Sequence, residues 1–441
     1  MQTRPWKVCV AIAGIAAAAA AQSPDYQAPG QHPSLLLTPA HYRLLKRERE
    51  RHSPRWRQFE SLLAGKAAMP ERAFGDALYF QVSGDQEAAR RAIAWALGEG
   101  ADLRQLALVF DWCQDALTEQ ESAALAAKLE QAIARPAASA GVEEARSRAF
   151  AAMALAGTAP AASERELRRI VEVWWRGKVV PALSAGEDAL PRDARYALFE
   201  LLHIVRDNLD IDLREGARAY FSELPAVDLL SYYPAPYQAP ENDYRIPASA
   251  AGQFDQRAAE SARAADLAMV AYDTTSLGYQ YLQGWLLHDL FSMHGPFGAP
   301  YEFLWANPYQ PGLSYYHAPL AAHSEVLGQL FLRSSWDDDA RWAGFFGGTL
   351  EAFVDGKSRP IDLTSPKQLD FDHALVVVTG NARSVTIERP AASVFLLGLK
   401  PQRSYRVGPE MPPLRADPGG IIELTFRDAG FSGTIPLLLQ R

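Results

Sequence analysis

Tyr, Trp, Phe and His crowd the run from Ser231 to His317, between a long helical part and a short strand-rich tail. Aromatic faces stack on sugar rings, and phenols and imidazoles carry protons beside bound ligands. Within that run, Asn242-Asp243-Tyr244-Arg245 sets an amide, a carboxylate, a phenol and a guanidinium side by side on a loop bounded by Pro240 and Pro247. A cation beside a phenol lowers its pKa, so Tyr244 next to Arg245 is a candidate proton carrier. The same residues also read as a turn at Asn242-Asp243 with Arg245 paired to Asp243. His203, His288 and His294 are the other candidate proton carriers. His203 lies on an apolar helix face, which equally suits a packed imidazole, and the spacing of His288 and His294 does not make a helical metal pair. Tyr233, Tyr237, Trp305, Tyr309, Tyr315, Tyr316 and His317 are the candidate ligand-binding residues. Trp305, in FLWANPYQPG, is expected to be exposed, whereas the helical spacing around Trp285 suits a core. Asp337-Asp338-Asp339 reads as a solvated turn rather than a calcium site. Asp370-Phe371-Asp372-His373 reads as a hairpin turn. Gly-rich phosphate loops, Ser-centred elbows and HExxH runs do not occur, so neither cofactor nor metal is expected.

The elements that must position these groups fall into two halves. From Thr38 to Met293, caps and apolar periodicity mark a dozen or so helices. Thr38-Pro39 and Ser53-Pro54 each pair an N-cap with Pro at the first helical position, and Thr118 with Glu121 forms a capping box. Short breaks make neighbours pack antiparallel, and no fixed-length repeat is visible. After Gly312 the period changes to short β-rich runs separated by Gly, Pro, Asp or Asn, enough for an antiparallel β-sandwich. The expected division is a signal peptide at 1–21, an (α/α) toroid of helix hairpins over 22–311, and the sandwich over 312–441. Arg4, Lys7 and the apolar stretch that follows, closed by small residues at Ala19–Ala21, make the signal. Export to the periplasm or the medium is therefore expected. No later stretch is long and apolar enough for a transmembrane segment.

The net charge of −8, about −10 without Arg4 and Lys7, argues against nucleic acid and against a highly sulfated chain. Once Cys9 leaves with the signal, Cys113 stands alone, so neither an internal disulfide nor a Cys-rich zinc site is available.

Three stretches carry a resemblance: HPSLLLTPAHYRLLKRER (His32–Arg49), LALVFDWCQDALTEQESAALAAKLEQ with Asp111-Trp112, and FLRSSWDDDARWAGFFGG (Phe331–Gly348). With the helices-then-strands order, they resemble the heparinase II/III-like polysaccharide lyases. This chain would be a divergent member, because no His lies between His323 and His373 where the family carries a His-Gly-His type motif. The resemblance implies β-elimination on a uronate-containing polysaccharide or oligosaccharide, in a cleft between toroid and sandwich. That reaction needs a cation or amide on the substrate carboxylate, a base for the C5 proton and an acid for the leaving oxygen. Arg245 or Asn242 would meet the carboxylate, and Tyr244 would act as base or acid. A glycoside hydrolase using two of Glu241, Asp243 and Asp255 is a variant. A non-catalytic glycan-binding or envelope-associated protein of the same fold is the alternative from another class.

Overall fold

The computed structural model describes residues 26–137, 139, 141–239, 242–248, 255–288, 292–354, 356–380, 382–407, 412–426 and 431–439. The expected signal peptide and Glu241 lie outside them.

Helix starts follow the capping chemistry. The helices are α1 (Pro39–Glu50), α2 (Pro54–Ala64), α3 (Arg72–Ser83), α4 (Gln86–Leu97), α5 (Leu103–Trp112), α6 (Glu119–Ala134), α7 (Val142–Ala154), α8 (Pro160–Arg168), α9 (Val180–Ser184), α10 (Arg195–Leu209), α11 (Arg218–Ser231), α12 (Gln256–Tyr272), α13 (Leu277–His288) and α14 (Gly298–Trp305). A π-helical stretch, Arg169–Val179, joins α8 to α9. Thr38 and Ser53 accept from His41 N and Trp56 N, and the Thr118–Glu121 box closes the start of α6. Asp85, Asp102 and Asp255 cap α4, α5 and α12 in the same manner. One succession of contacts returns on itself: α3 packs on α5, α5 on α7, α7 on α10, α10 on α12, α12 on α14, α14 on α2, and α2 on α3.

An ion-pair network fills part of the space between these helices. Glu200 of α10, fully buried, accepts from Arg104 of α5, Arg146 of α7 and the Tyr196 hydroxyl. Asp111 and Trp112 anchor the segment ahead of α1: Asp111 accepts from Ser34 N and Leu35 N, at 2.9 and 2.8 Å, and Trp112 Nε1 donates to Leu35 O at 3.0 Å.

A small hairpin, β1 (Tyr237–Gln238) with β2 (Asp243–Tyr244), lies within the helical part. The remaining strands are β3 (Ala321–Ser324), β4 (Gln329–Arg333), β5 (Trp342–Phe346), β6 (Thr349–Val354), β7 (Lys357–Ile361), β8 (Lys367–Asp370), β9 (Ala374–Val378), β10 (Ser384–Ala391), β11 (Ser393–Leu397), β12 (Ser404–Val407), β13 (Leu414–Arg415), β14 (Ile422–Thr425) and β15 (Phe431–Leu439). They form three sheets ordered β3-β4-β5-β6-β7, β14-β11-β9-β8 and β10-β15-β12-β13.

Side-chain alternation stacks the sheets. Phe331, Trp342 and Phe353 of the first sheet join the core of the helices, while Leu330, Leu332 and Phe345 on its other face meet Val376, Phe395 and Leu397 of the second. The second sheet then turns Val377, Val394, Leu396 and Leu424 toward Val385, Ile387 and Ile435 of the third. Being covered on both faces explains why β9 reads as the unbroken run ALVVV.

Two expectations need correction. Pairing is not purely antiparallel, because β9 and β11 run parallel, Ser393 opposite Ala374 through Leu397 opposite Val378. The chain leaves for β10 in the third sheet and comes back, the crossover a parallel pair requires. Nor is Trp305 an exposed loop residue. It ends α14, every residue of which is buried. A helix this short, between Pro296 and Pro308, shows too little of the 3.6-residue period to announce itself.

Candidate functional site

Helix α11 packs on β3 and β4 and joins the two halves of the chain. Trp342 Nε1 donates to Leu230 O of α11 at 2.7 Å, and the Tyr233 ring stacks on Phe353 with centroids 5.3 Å apart. Beside this joint lies a concavity of about 310 Å³, lined by Tyr232, Tyr233, Pro234, Arg245, Trp285, His288, Tyr315, Tyr316, Arg333, Trp336, Asp337 and Asp338. Its size is at the lower end for small-molecule pockets. Helix α13 supplies Trp285 and His288, the segment after α11 supplies Tyr232 and Tyr233, β4 ends in Arg333, and the linker ahead of β3 brings Tyr315 and Tyr316.

Close backbone approach sets that linker. A Cβ on Gly284 of α13 would sit 1.8 Å from Leu313 O, and one on Gly312 would sit 2.3 Å from Gly284 N. Two glycines in contact therefore let the linker lie directly on α13. Leu313 N donates to Gln280 O at 2.9 Å to hold it there. In consequence the Tyr315 ring comes to 5.6 Å from His288, stacks on Tyr316 at 4.5 Å and meets Trp336 edge-on at 5.3 Å.

Two guanidinium groups give the concavity its charge. Arg245 donates to Pro234 O at 2.8 Å and to Asp338 Oδ1 at 3.2 Å. Arg333, only 4% exposed, spends its donors on backbone carbonyls: Nε on Ser335 O at 2.5 Å and Nη2 on Asp337 O at 3.3 Å. Its guanidinium carbon lies 4.4 Å from the Trp336 ring centroid. Among the described residues Arg333 has no carboxylate within ion-pairing distance. Burial, reinforced by the like charge of Arg245, pulls its pKa down to about 10. A cation so placed is stabilised by an anion brought to it. Burial and a hydrogen bond with Tyr316 raise the Tyr315 pKa, and the opposing pull of Arg245 and Arg333 does not reverse this. Tyr315 therefore holds its proton at neutral pH.

Among the expected residues, Arg245, His288, Tyr233, Tyr315 and Tyr316 share this concavity. Tyr233 donates its hydroxyl to Glu351 Oε2 at 2.8 Å, and burial with that contact pushes its pKa up to about 12. Tyr244 is buried on β2 opposite Tyr237, which is exposed, and neither lines the concavity. Asn242 donates from Nδ2 to Ser292 O at 2.6 Å, and its backbone exchanges hydrogen bonds with Ala239 as a turn would. Exposed His317 lies just beyond Tyr316.

His203, Trp305 and Tyr309 line a separate concavity of about 480 Å³ that also includes His41, Arg43 and Arg47. There His203 Nε2 donates to Ala268 O at 2.9 Å, the ring packs 4.7 Å from Trp305, and burial drops its pKa to about 3. His203 is thus a neutral, packed imidazole. His294 Nε2 lies 2.8 Å from Ser292 Oγ in a third concavity, with the Arg263–Glu302 pair. Of the acids considered for hydrolysis, Asp255 is engaged as the α12 cap.

Arg333 and Trp336 are not among the candidates expected from the sequence, although both stand in the FLRSSWDDD stretch that carries part of the resemblance. An Arg leaving a strand three residues before a Trp was the available signal. Comparison of the chain with models of known protein families and with curated proteins gives no match in either.

Proposed function

We propose that the protein is an exported, divergent heparinase II/III-like polysaccharide lyase, its closed succession of helices an (α/α) toroid and its stacked sheets a β-sandwich. The reading rests above all on Arg333: a nearly buried guanidinium facing a concavity with Arg245, an imidazole and a phenol around it. The two guanidinium groups would hold a uronate carboxylate and stabilise the charge that develops when the C5 proton leaves. His288 is the candidate base. As it takes that proton, the C5–H electron pair moves into the C4–C5 bond and the C4–O bond breaks. Tyr315, which keeps its proton at neutral pH, is suited to protonate the departing oxygen. Tyr316, which is exposed, offers a face for the sugar ring.

Digestion of a panel of uronate polysaccharides, followed by the ultraviolet absorbance of the new conjugated double bond, tests this. Growth of that signal with wild type, and its loss in Tyr315→Phe and Arg333→Gln variants that stay folded, is the expected result. New reducing ends without absorbance would instead indicate hydrolysis. Binding without either product would indicate a glycan-binding protein, the reading favoured by the missing His-Gly-His type motif.

A further inference from the structure

We propose that Asp338 is a built-in competitor for carboxylate-bearing sugars, occupying the place of the ligand's carboxylate on Arg245 until ligand displaces it. The inference rests on the proposed reading of the concavity as a uronate site and adds a competitor that is part of the chain. Asp338 Oδ1 stands 3.2 Å from Arg245 Nη1 at the rim, and its side chain remains 63% exposed. The pair is therefore weak and solvent-screened, held by one contact on a turn that can give way. Its anchor is on the other side of the cation: Arg333 Nη2 holds Asp337 O, one residue before Asp338. The guanidinium left without a carboxylate thus positions the turn that carries the stand-in.

A uronate carboxylate arriving between Arg245 and Arg333 gains two cations and releases Asp338 to water. A neutral sugar has nothing to offer Arg245 in exchange, so it meets an intact Asp338–Arg245 pair across the mouth of the site. Asp338 therefore lowers uronate affinity by the cost of breaking that pair and leaves unchanged the affinity for a neutral sugar, which does not break it.

Calorimetric titration of wild type and Asp338→Asn with D-glucuronate, D-galacturonate and the corresponding neutral hexoses tests the proposal. Asp339→Asn, which removes an equal charge from the next, exposed position, controls for long-range attraction. Expected are about two- to fivefold tighter uronate binding in Asp338→Asn, unchanged hexose binding in that variant, and little change of either in Asp339→Asn. Uronate binding by wild type that Asp338→Asn leaves unchanged, or that Asp339→Asn tightens equally, overturns the stand-in while the site survives. Absence of uronate binding in all three proteins overturns the carboxylate site, and the stand-in with it.

Discussion

Arg333 and Glu200 are opposite solutions to the problem of a buried charge. Glu200 is surrounded by Arg104, Arg146 and Tyr196, and those cations hold its carboxyl below the usual range against the opposing effect of burial. Removing it as Glu200→Ala leaves Arg104 and Arg146 facing each other without their shared anion, and a loss of about 3–5 kcal/mol in urea unfolding is expected. Arg333 instead keeps its charge beside Trp336, its donors on the Ser335 and Asp337 carbonyls, with no carboxylate among the described residues to neutralise it. Arg333→Gln retains the polar shape but not the charge. Loss of the bonds to Ser335 O and Asp337 O should cost about 1–3 kcal/mol of stability, and uronate affinity should fall about tenfold or more, as for loss of a charged hydrogen bond. If Arg333→Gln binds uronates as well as wild type does, the concavity is not a carboxylate site.

At the level of elements, the linker on α13 and the clamp between the first two sheets are the parts most open to test. Gly284→Ala drives a methyl group into Leu313 O, so the linker must lift and carry Tyr315 and Tyr316 away from His288. A destabilisation of about 1–3 kcal/mol, accompanied by loss of turnover, is expected from chemical unfolding and activity assays. The clamp is His323 of β3, whose Nε2 lies 2.8 Å from Asp417 and Nδ1 3.0 Å from Glu423 of β14. The hydrogen bonds to those two carboxylates outweigh burial and raise the imidazole pKa from 6.5 to about 9. A folded pKa above the free value means that the clamp contributes fully below about pH 6.5 and is lost as pH rises through about 9. Stability should therefore fall by on the order of 3 kcal/mol across that window. Urea unfolding in His323→Gln should show no such slope there; a slope equal to that of wild type assigns it elsewhere.

Across the whole molecule, the helices meet the strands over one face of the first sheet and again where Gln402 Nε2 donates to Ala185 O at 2.9 Å, and the candidate site sits beside the first of these joints. No helix among the described residues is long and apolar enough to cross a membrane. Helix ends were legible because capping is local: Thr118 meets Glu121 three residues away, and nothing distant is required. Central strands such as β9 and β11 were legible as apolar runs. The strands β3, β7 and β8 all lie at sheet edges, where less burial leaves a weak pattern, and β7 even carries Pro360.

The candidate site divides along the same line. Sequence alone determined the change from helical to strand period, the caps, and the concentration of rings and ionisable groups between residues 231 and 317. Tertiary structure decided which of them meet: Arg245, His288 and Tyr315 share a wall, His203 and Trp305 face another, and Arg333 arrives from the first sheet. Caps and periodicity act over a few residues, whereas a pocket is made by groups that become neighbours only when distant segments pack. The contact of Gly284 with Gly312 illustrates the difference, since neither glycine signals in the sequence that the other lies against it.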